Sequence, residues 1–563
     1  HRFPSLAECR GVEQMPGGAP PPNCRSLLRL CRTLEHLHQI HAQAITQGLL
    51  PRHQPLSCRL LNAYTRFGRS AEARGLFRQI PDPDLVSRTS LMLLHLQDRR
   101  PGQAAGVFSQ ILCSRLKPDG FSVVAALSAS GQMEDLVMGR TLHGLIYRRE
   151  LNRETVVYNA LIDVYCRCGE IGGARQVFDD MPMRNCVSWS SLLNGYAKQE
   201  GLEAARSFFD RMPERDVGAW TVMITAYVRG RHPVRALQLF LEMNLEACSP
   251  TSITIVGVLS ACADIGALDM GCSVHGLTSK TMVYLDATVH NALIDMYSKS
   301  GSLETADAIF NTMKYKDIYT WTTMISGFAV NGDGQRALKV FLDMLRSGTC
   351  PNDVTFVSVL SACSHAGLIH EGRLWFDIMC KHYNFEPHIQ HFGCMVDLLS
   401  RAGLLSDAAH LINRMRVEPD AVIWRSLLSA CLVHGDAKLA EIAGKQIIKL
   451  EPDDDGVYVL LWNMYAGSNR WGEAREMRKA MRNRRITKKP GCSWIELNGV
   501  VHEFLVEDKM HCLQNDVYSV LEGMDKQLKA YCERAPSGLH HELHTKRTYM
   551  RSFSGPSLEI IVR

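Results

Sequence analysis

The feature that most constrains this chain is a sequence that returns on itself at offsets of 31 and 35 residues. Asn159-Ala160-Leu161-Ile162-Asp163 reappears as Asn291-Ala292-Leu293-Ile294-Asp295. The identity stays in register through Tyr165 and Tyr297, Gly169 and Gly301, Ala174 and Ala306, Phe178 and Phe310, and Met181 and Met313. The offset is 132, two steps of 31 and two of 35. Val258-Leu259-Ser260-Ala261-Cys262 returns separately as Val359-Leu360-Ser361-Ala362-Cys363 at an offset of 101, one step of 31 and two of 35. A period of this size signals stacked supersecondary units.

One unit, Thr155 to Asn185, shows what is repeated. Its first half places Val157, Leu161, Ile162 and Tyr165 near one face of a helix, and Gly169 then breaks the pattern. Its second half places Ala174, Val177, Phe178 and Met181 at i, i+3, i+4 and i+7, one apolar stripe, and Pro182 stops it. Each unit is therefore read as two short antiparallel helices. Neither is long enough to be stable alone, so neighbouring units must stack and share a continuous core. The predicted fold class is all-α, an α-solenoid with a concave inner surface.

Working outward in register, the units fall at 54–84, 85–119, 120–154, 155–185, 186–216, 217–251, 252–286, 287–317, 318–352, 353–388 and 389–420. A weaker unit at about 20–53 carries His38-Gln39-Ile40-His41 in its second helix. The organisation expected is a flexible lead-in at 1–19, a repeat array at 20–420, further helix pairs at 421–490, an extension at 491–535 and an unassigned tail at 536–563. In the extension, Trp494-Ile495-Glu496 and Val501-His502-Glu503-Phe504 flank Asn498-Gly499 as a hairpin would. A helix follows from about Asn515 to Glu533.

Composition adds little but excludes some classes. A chain of 563 residues, 46% of them apolar, has core enough for one long solenoid. A net charge of +5 permits nucleic-acid binding. No run of 18 apolar residues exists, so no membrane-spanning helix is expected. The 19 cysteines recur at apolar helix positions such as Cys262, Cys363 and Cys431, as small buried residues do, and a reducing compartment fits them.

These residues resemble the plant pentatricopeptide repeat family, and within it the PLS subclass. The 35-residue P-type units look like Ile318 to Asn352, the L-type units carry Val-Leu-Ser-Ala-Cys, and the 31-residue S-type units end as in Met212-Pro213-Glu214-Arg215-Asp216. Cys394-Met395-Val396-Asp397-Leu398-Leu399 looks like the last S-type unit. Pro490-Gly491-Cys492-Ser493-Trp494-Ile495-Glu496 and Val501 to Phe504 look like the E and E+ extensions. The resemblance covers about residues 20–535. It implies a right-handed superhelical α-solenoid of helix-turn-helix repeats with a small C-terminal extension. The function implied is site recognition for C-to-U editing of organelle transcripts, by binding single-stranded RNA one base per repeat. A DYW-type deaminase and other editing factors would act in trans. The resemblance points to the mitochondrion, with the chloroplast as the alternative.

It also implies the base readers. The fifth residue of a unit and its last residue would face the Watson–Crick edge of one splayed base. Guanine and uracil carry a ring N–H there, whereas adenine and cytosine carry a bare acceptor nitrogen. An ionised Asp only accepts and suits the first pair; Asn can donate and suits the second. Carried over unit by unit, Thr89 with Asp119 implies G, Asn159 with Asn185 a pyrimidine, Ser190 with Asp216 G, Asn291 with Asp317 U, and Thr322 with Asn352 A. Thr221 with Thr251, Cys58 with Asp84, and Gly393 with Asp420 depart from the pattern, the first still implying a purine. With the last S-type unit four nucleotides before the edited base, the implied target is G-N-Y-G-R-N-U-A-N-N-N-N-N-C.

Other readings stand beside these. A polar residue at a helix start is commonly a cap. Trp189, Trp220, Trp321 and Trp424 sit one residue before the reader register or its equivalent, on the stripe side, and are expected in the core. Arg478, Arg482, Arg485 and Lys488 are candidate phosphate contacts within the densest basic cluster, or else a solvated helix end. His540-His541-Glu542 offers His-x-Glu, but no cysteine follows Cys532, so the zinc ligands of a deaminase cannot follow it. No Gly-rich phosphate loop or nucleophile elbow is present. The chain is read as a non-enzyme with no cofactor and no metal. A tetratricopeptide-like protein scaffold would predict a uniform period of about 34. An RNA splicing or stability factor would share the array.

Overall fold

The structure, a computed structural model, describes residues 33–46, 50, 54–80, 83–114, 116–151, 154–280, 286–486, 492–497, 500–505 and 514–534. Among them are 28 helices and one two-stranded sheet. From Gln54 the helices come in pairs. Thr155–Arg167 is followed by Ile171–Asp179, Cys186–Gln199 by Leu202–Asp210, Ala287–Lys299 by Leu303–Thr312, and Ile318–Val330 by Gly334–Arg346. Each of these first helices packs on its own partner, and within each compact unit on the first helix of the next pair. That is the solenoid arrangement the period predicts.

The chain divides into two compact units. One comprises His1–Arg231 and Leu239–Ser249, the other His232–Gln238 and Pro250–Arg563.

Within the first unit the stripes read from sequence make the core. Val157, Leu161, Ile162, Tyr165, Ala174, Val177 and Phe178 are all buried. Phe178 meets Trp189 of the next helix pair edge-on, with ring centroids 4.8 Å apart. In the second unit Phe310 meets Trp321 in the same way at 5.1 Å. Of the four tryptophans expected in the core, Trp220 and Trp321 are buried, at 1% and 9% exposed, while Trp189 and Trp424 are half-buried. Gly169 and Gly301 end equivalent first helices with φ of +85° and +80°, a backbone state that favours glycine. Gly195 and Gly327, both tenth in their units, let helices approach closely. A methyl group there would overlap Cys166 and Ser298 of the preceding first helix.

One helix boundary differs from the expectation. The second helix of the 155–185 unit ends at Asp179, so Met181 lies beyond it, although it remains buried. The Met-Pro-x-Arg motif closes this end. Arg184 folds back so that Nε donates to the Phe178 carbonyl at 2.9 Å and a terminal nitrogen donates to the Asp179 carbonyl at 2.8 Å. The Phe178 carbonyl also accepts the Met181 N–H at 3.3 Å, so Arg184 adds a second donor there. The guanidinium also lies 5.0 Å from the Phe178 ring centroid. Arg215 sits 5.0 Å from Phe209 in the next unit, and Lys316 4.9 Å from Phe310.

The array runs without a break in its core into Ala421–His434, Ala437–Leu450, Asp455–Gly467 and Trp471–Asn483. Val396 and Leu399 of the 389–420 unit share one buried cluster with Leu427, Ala443, Leu461 and Tyr465. Strands Cys492–Leu497 and Val500–Leu505 pair antiparallel with Leu497 opposite Val500, as the hairpin reading expects, while Asn498 and Gly499 lie outside the described residues. The last helix is Gln514–Arg534. The lead-in at 1–19, the tail at 536–563, Pro490, Gly491 and Lys488 also lie outside the described residues. The expected pair at 20–53 is described from Thr33 onward, where helix Leu34–Thr46 carries His38 to His41. No described helix is long and apolar enough to cross a membrane.

Candidate nucleic-acid interface

The site is assembled at helix N-termini. The first turn of a helix leaves backbone N–H groups unpaired, and a short polar side chain just before it can accept one. Asp84, Asp119, Asn185, Asp216, Thr251, Asp317, Asn352 and Asp420 each occupy that N-cap. Each accepts the N–H three residues on: Ser87 to Asp84 at 2.9 Å, Ala219 to Asp216 at 2.8 Å, Thr320 to Asp317 at 2.8 Å. The last residue of a unit is thus the cap of the next unit's first helix. The structural reading of these polar residues holds for all eight.

Capping does not exhaust them, because stacking brings the fifth residue of the preceding first helix alongside. Ser190 donates to Asp216 Oδ1 at 3.1 Å. Asn159 Nδ2 lies 3.4 Å from Asn185 Oδ1. Cys58 Sγ lies 3.6 Å from Asp84 Oδ1, and burial pushes this thiol's pKa up. Thr322 meets Asn352 through the Thr355 hydroxyl, which is 2.9 Å from Thr322 Oγ1 and 2.8 Å from Asn352 Oδ1.

Thr89 with Asp119, Asn291 with Asp317 and Gly393 with Asp420 are not joined by a hydrogen bond. Thr89 is buried and donates to the Leu85 carbonyl of its own helix, while Asp119 forms a reciprocal box with Ser122. Thr221 donates to Val217 O, and Thr251 caps in the other compact unit. Asn291 Oδ1 is buried without a partner, and the Asp317 cap is bonded to Thr320 instead. Gly393 brings no side chain to Asp420; a Cβ there would find only Ile423, at 3.8 Å.

The structure adds a row that the sequence reading missed. In eight units the second residue is apolar yet more than half exposed: Val86, Phe121, Val156, Val187, Ile253, Tyr319, Val354 and Val422, from 53% at Val86 to 75% at Phe121, while Gly218, Thr288 and Gln390 hold that place in three others. The signal was available as an apolar residue recurring off the buried stripe at one fixed register. Apolar side chains beside polar pairs are what a stacked base needs on its faces.

Away from this row, helix Trp471–Asn483 and the turn after it carry Arg475, Arg478, Lys479, Arg482, Arg484 and Arg485, all exposed. None forms an ion pair with another described residue. Arg478 lies over the Trp462 ring at 4.3 Å. Cations elsewhere are commonly bound across repeats, as Arg140 is to Glu170 at 2.9 Å and Arg336 to Asp307 at 3.0 Å. Burial holds Cys166 and Cys363 at a pKa of about 12 and Cys431 at about 11, so these thiols are neutral core groups. No group of three or more His, Cys, Asp or Glu that could hold a metal ion occurs among the described residues.

Comparison with known sequences agrees with this architecture. The PPR repeat family matches residues 153–188 and 316–365, and the PPR repeat matches 187–217, 218–247, 288–318, 354–383 and 391–418. The E motif matches 434–496. A pentatricopeptide repeat-containing protein of Arabidopsis thaliana is 42% identical over 470 residues, 82% of this chain and 67% of that protein. A mitochondrial one from the same plant is 38% identical, covering 80% and 66%. The chloroplastic protein ELI1, also from Arabidopsis thaliana, is 40% identical, covering 91% and 81%. The chain thus spans about two thirds of the length of the first two. The crystal structure of the maize pentatricopeptide repeat protein PPR10 is similar at 18% identity with a TM-score of 0.43, covering 83% of this chain and 84% of that one.

Proposed function

The chain belongs to the pentatricopeptide repeat family, and from that membership and the geometry of its cap pairs we propose that it binds single-stranded RNA and reads one base per repeat. The observation that carries this reading is the meeting of fifth residue and cap at 3.1 to 3.6 Å in one register, beside exposed apolar second residues. The chemistry follows from which atom the cap consumes. Capping needs an acceptor and takes Oδ1. An Asp then has Oδ2, a second acceptor, for the ring N–H of guanine or uracil. An Asn has Nδ2, a donor, for the bare nitrogen of adenine or cytosine. One side chain both caps a helix and carries one half of a base preference.

In finer detail the protein is a PLS-subclass member with E and E+ extensions that directs C-to-U editing of organelle transcripts. Its array holds the transcript, and a DYW-type deaminase with other editing factors acts in trans. The E-motif match and the order of C-terminal elements support this placement. Relatives assigned to mitochondria and to chloroplasts support an organelle, with the mitochondrion preferred here. The cations of helix Trp471–Asn483 would hold phosphates near the edited base.

The test is a binding titration of the full chain with RNA bearing G-N-Y-G-R-N-U-A ahead of a C. The control RNA has the U-A exchanged for C-G. Preference for the first supports the reading and its register. Equal, salt-sensitive binding to both contradicts the register, and binding to neither contradicts an RNA-binding function.

A further inference from the structure

The constellation around a base has a third member, the third residue of the following unit. We infer that Ser188 is a positioning residue that sets which end of the Asn159 amide faces RNA, and that the Asn or Asp at the cap decides whether such a hydroxyl is free to do so. This rests on the base-reading proposal above.

Ser188 and Thr320 occupy the same register, and both are 0% exposed. A hydroxyl has one proton to give and two lone pairs to receive with. Around Ser188 the cap is the neutral Asn185. The Ser188 oxygen accepts the Asn185 N–H at 3.3 Å, and its proton faces Asn159 Oδ1 at 2.7 Å and Asn185 Oδ1 at 2.9 Å. Donation to Asn159 turns the amide oxygen inward. Nδ2 then points towards Asn185 Oδ1 at 3.4 Å, with its second N–H available for a base acceptor.

Around Thr320 the cap is Asp317. A carboxylate takes a proton donor more strongly than an amide oxygen does. The Thr320 hydroxyl accordingly lies 2.8 Å from Asp317 Oδ1, and Asn291 Oδ1 is buried without a partner. Two asparagines in one register therefore differ: Asn159 is held and Asn291 is not. Two further pairs follow this logic, whereas with Asp119 as cap the Ser122 hydroxyl donates to the Asp119 carbonyl at 2.9 Å. With Asn352 as cap, the Thr355 hydroxyl lies 2.8 Å from Asn352 Oδ1, as Thr320 does from Asp317, but it also meets the reader Thr322 at 2.9 Å. With Asp84 as cap, Ser87 donates to Asp84 Oδ1 at 2.7 Å and can only accept from the Cys58 thiol, 2.8 Å away. Where Ala219 offers no hydroxyl, Ser190 reaches Asp216 directly.

The experiment measures equilibrium binding of the full chain to RNA pairs that differ only at the base of the 155–185 unit, C against A. The wild type prefers C. S188A narrows that ratio by about fivefold, the worth of one hydrogen bond, and S188T restores it. T320V removes a comparable capping hydroxyl but leaves the U preference of the 287–317 unit unchanged, because Thr320 does not hold Asn291. T355V, close in shape to the native side chain, narrows the A preference of the 318–352 unit as S188A does for C. A wild type that discriminates while S188A and T355V discriminate equally well overturns the positioning role. A wild type with no preference at either base overturns the base-reading proposal itself, and this inference with it.

Discussion

Ser190 donates its hydroxyl to Asp216 Oδ1 at 3.1 Å, and the same oxygen accepts the backbone N–H of Ala219 at 2.8 Å. One carboxylate oxygen thus ties two repeats together and caps a helix. D216N keeps an acceptor at the cap and changes the outward atom from acceptor to donor, so it should leave stability nearly unchanged while moving the preference of this unit from G towards A. D216A removes both functions and should cost about 1 kcal/mol. Thermal melts and base-swapped RNA titrations of the two variants separate the roles. Equal melting losses in both would contradict the cap assignment.

The Met-Pro-x-Arg motif makes a separate prediction about stability. Arg184 donates to two carbonyls at the end of helix Ile171–Asp179 and covers the Phe178 ring. R184K keeps the charge but loses the planar fork, and should destabilise by about 1 kcal/mol at this exposed site without altering any base preference. A denaturant titration reads it. An unchanged midpoint would mean that the helix end is satisfied by water.

A pH dependence follows from a recurring contact between second helices and the next unit. His41 meets Tyr64 OH at 2.8 Å, His143 meets Tyr165 OH at 2.8 Å and His275 meets Tyr297 OH at 3.0 Å. Burial, first among the causes, lowers the pKa of all three imidazoles below the ordinary 6.5. Below 6.5 the unfolded chain then binds more protons than the folded one. Stability is fully present above that value and declines as pH falls towards the lowered folded values. Urea midpoints at about pH 7.5 and about pH 5.5 should therefore differ, the second being lower, and H143Q should reduce the difference. A midpoint that rises on acidification would contradict this.

The cations of helix Trp471–Asn483 predict a salt effect. If Lys479 and Arg482 contact phosphates, K479A with R482A should reduce the salt slope of RNA binding by about 0.7 per lost contact and leave base preferences intact. A slope equal to that of the wild type would assign these side chains to solvent.

Much of this architecture is visible in the chain before any coordinates. The 31/35 spacing and the stripes through Leu161 and Phe178 mark helix pairs, because an amphipathic repeat cannot bury its faces any other way. The caps are equally legible, since Asp216 or Asn352 before an apolar run has a local purpose. What was not legible depends on neighbours in space. Ser188 reads as half of a capping box until stacking places Asn159 beside it. Val156 and Tyr319 look like further apolar helix residues until the neighbouring repeats leave them uncovered. Arg184 reaches back to the helix that ends at Asp179, and a stripe ending on Met181 does not show that. Nor does the period announce the division into two compact units near residue 232.

If the outward atom of the cap side chain reads the base, D317N should change the base that this unit selects. It makes the Asn291 pair the same as the Asn159–Asn185 pair while preserving a good cap. The measurement is the ratio of Kd for RNAs carrying C or U at that one position. The expected result is a wild type that prefers U and a D317N protein that prefers C, with the preferences of the neighbouring units unchanged. A D317N protein that still prefers U with full affinity would contradict it.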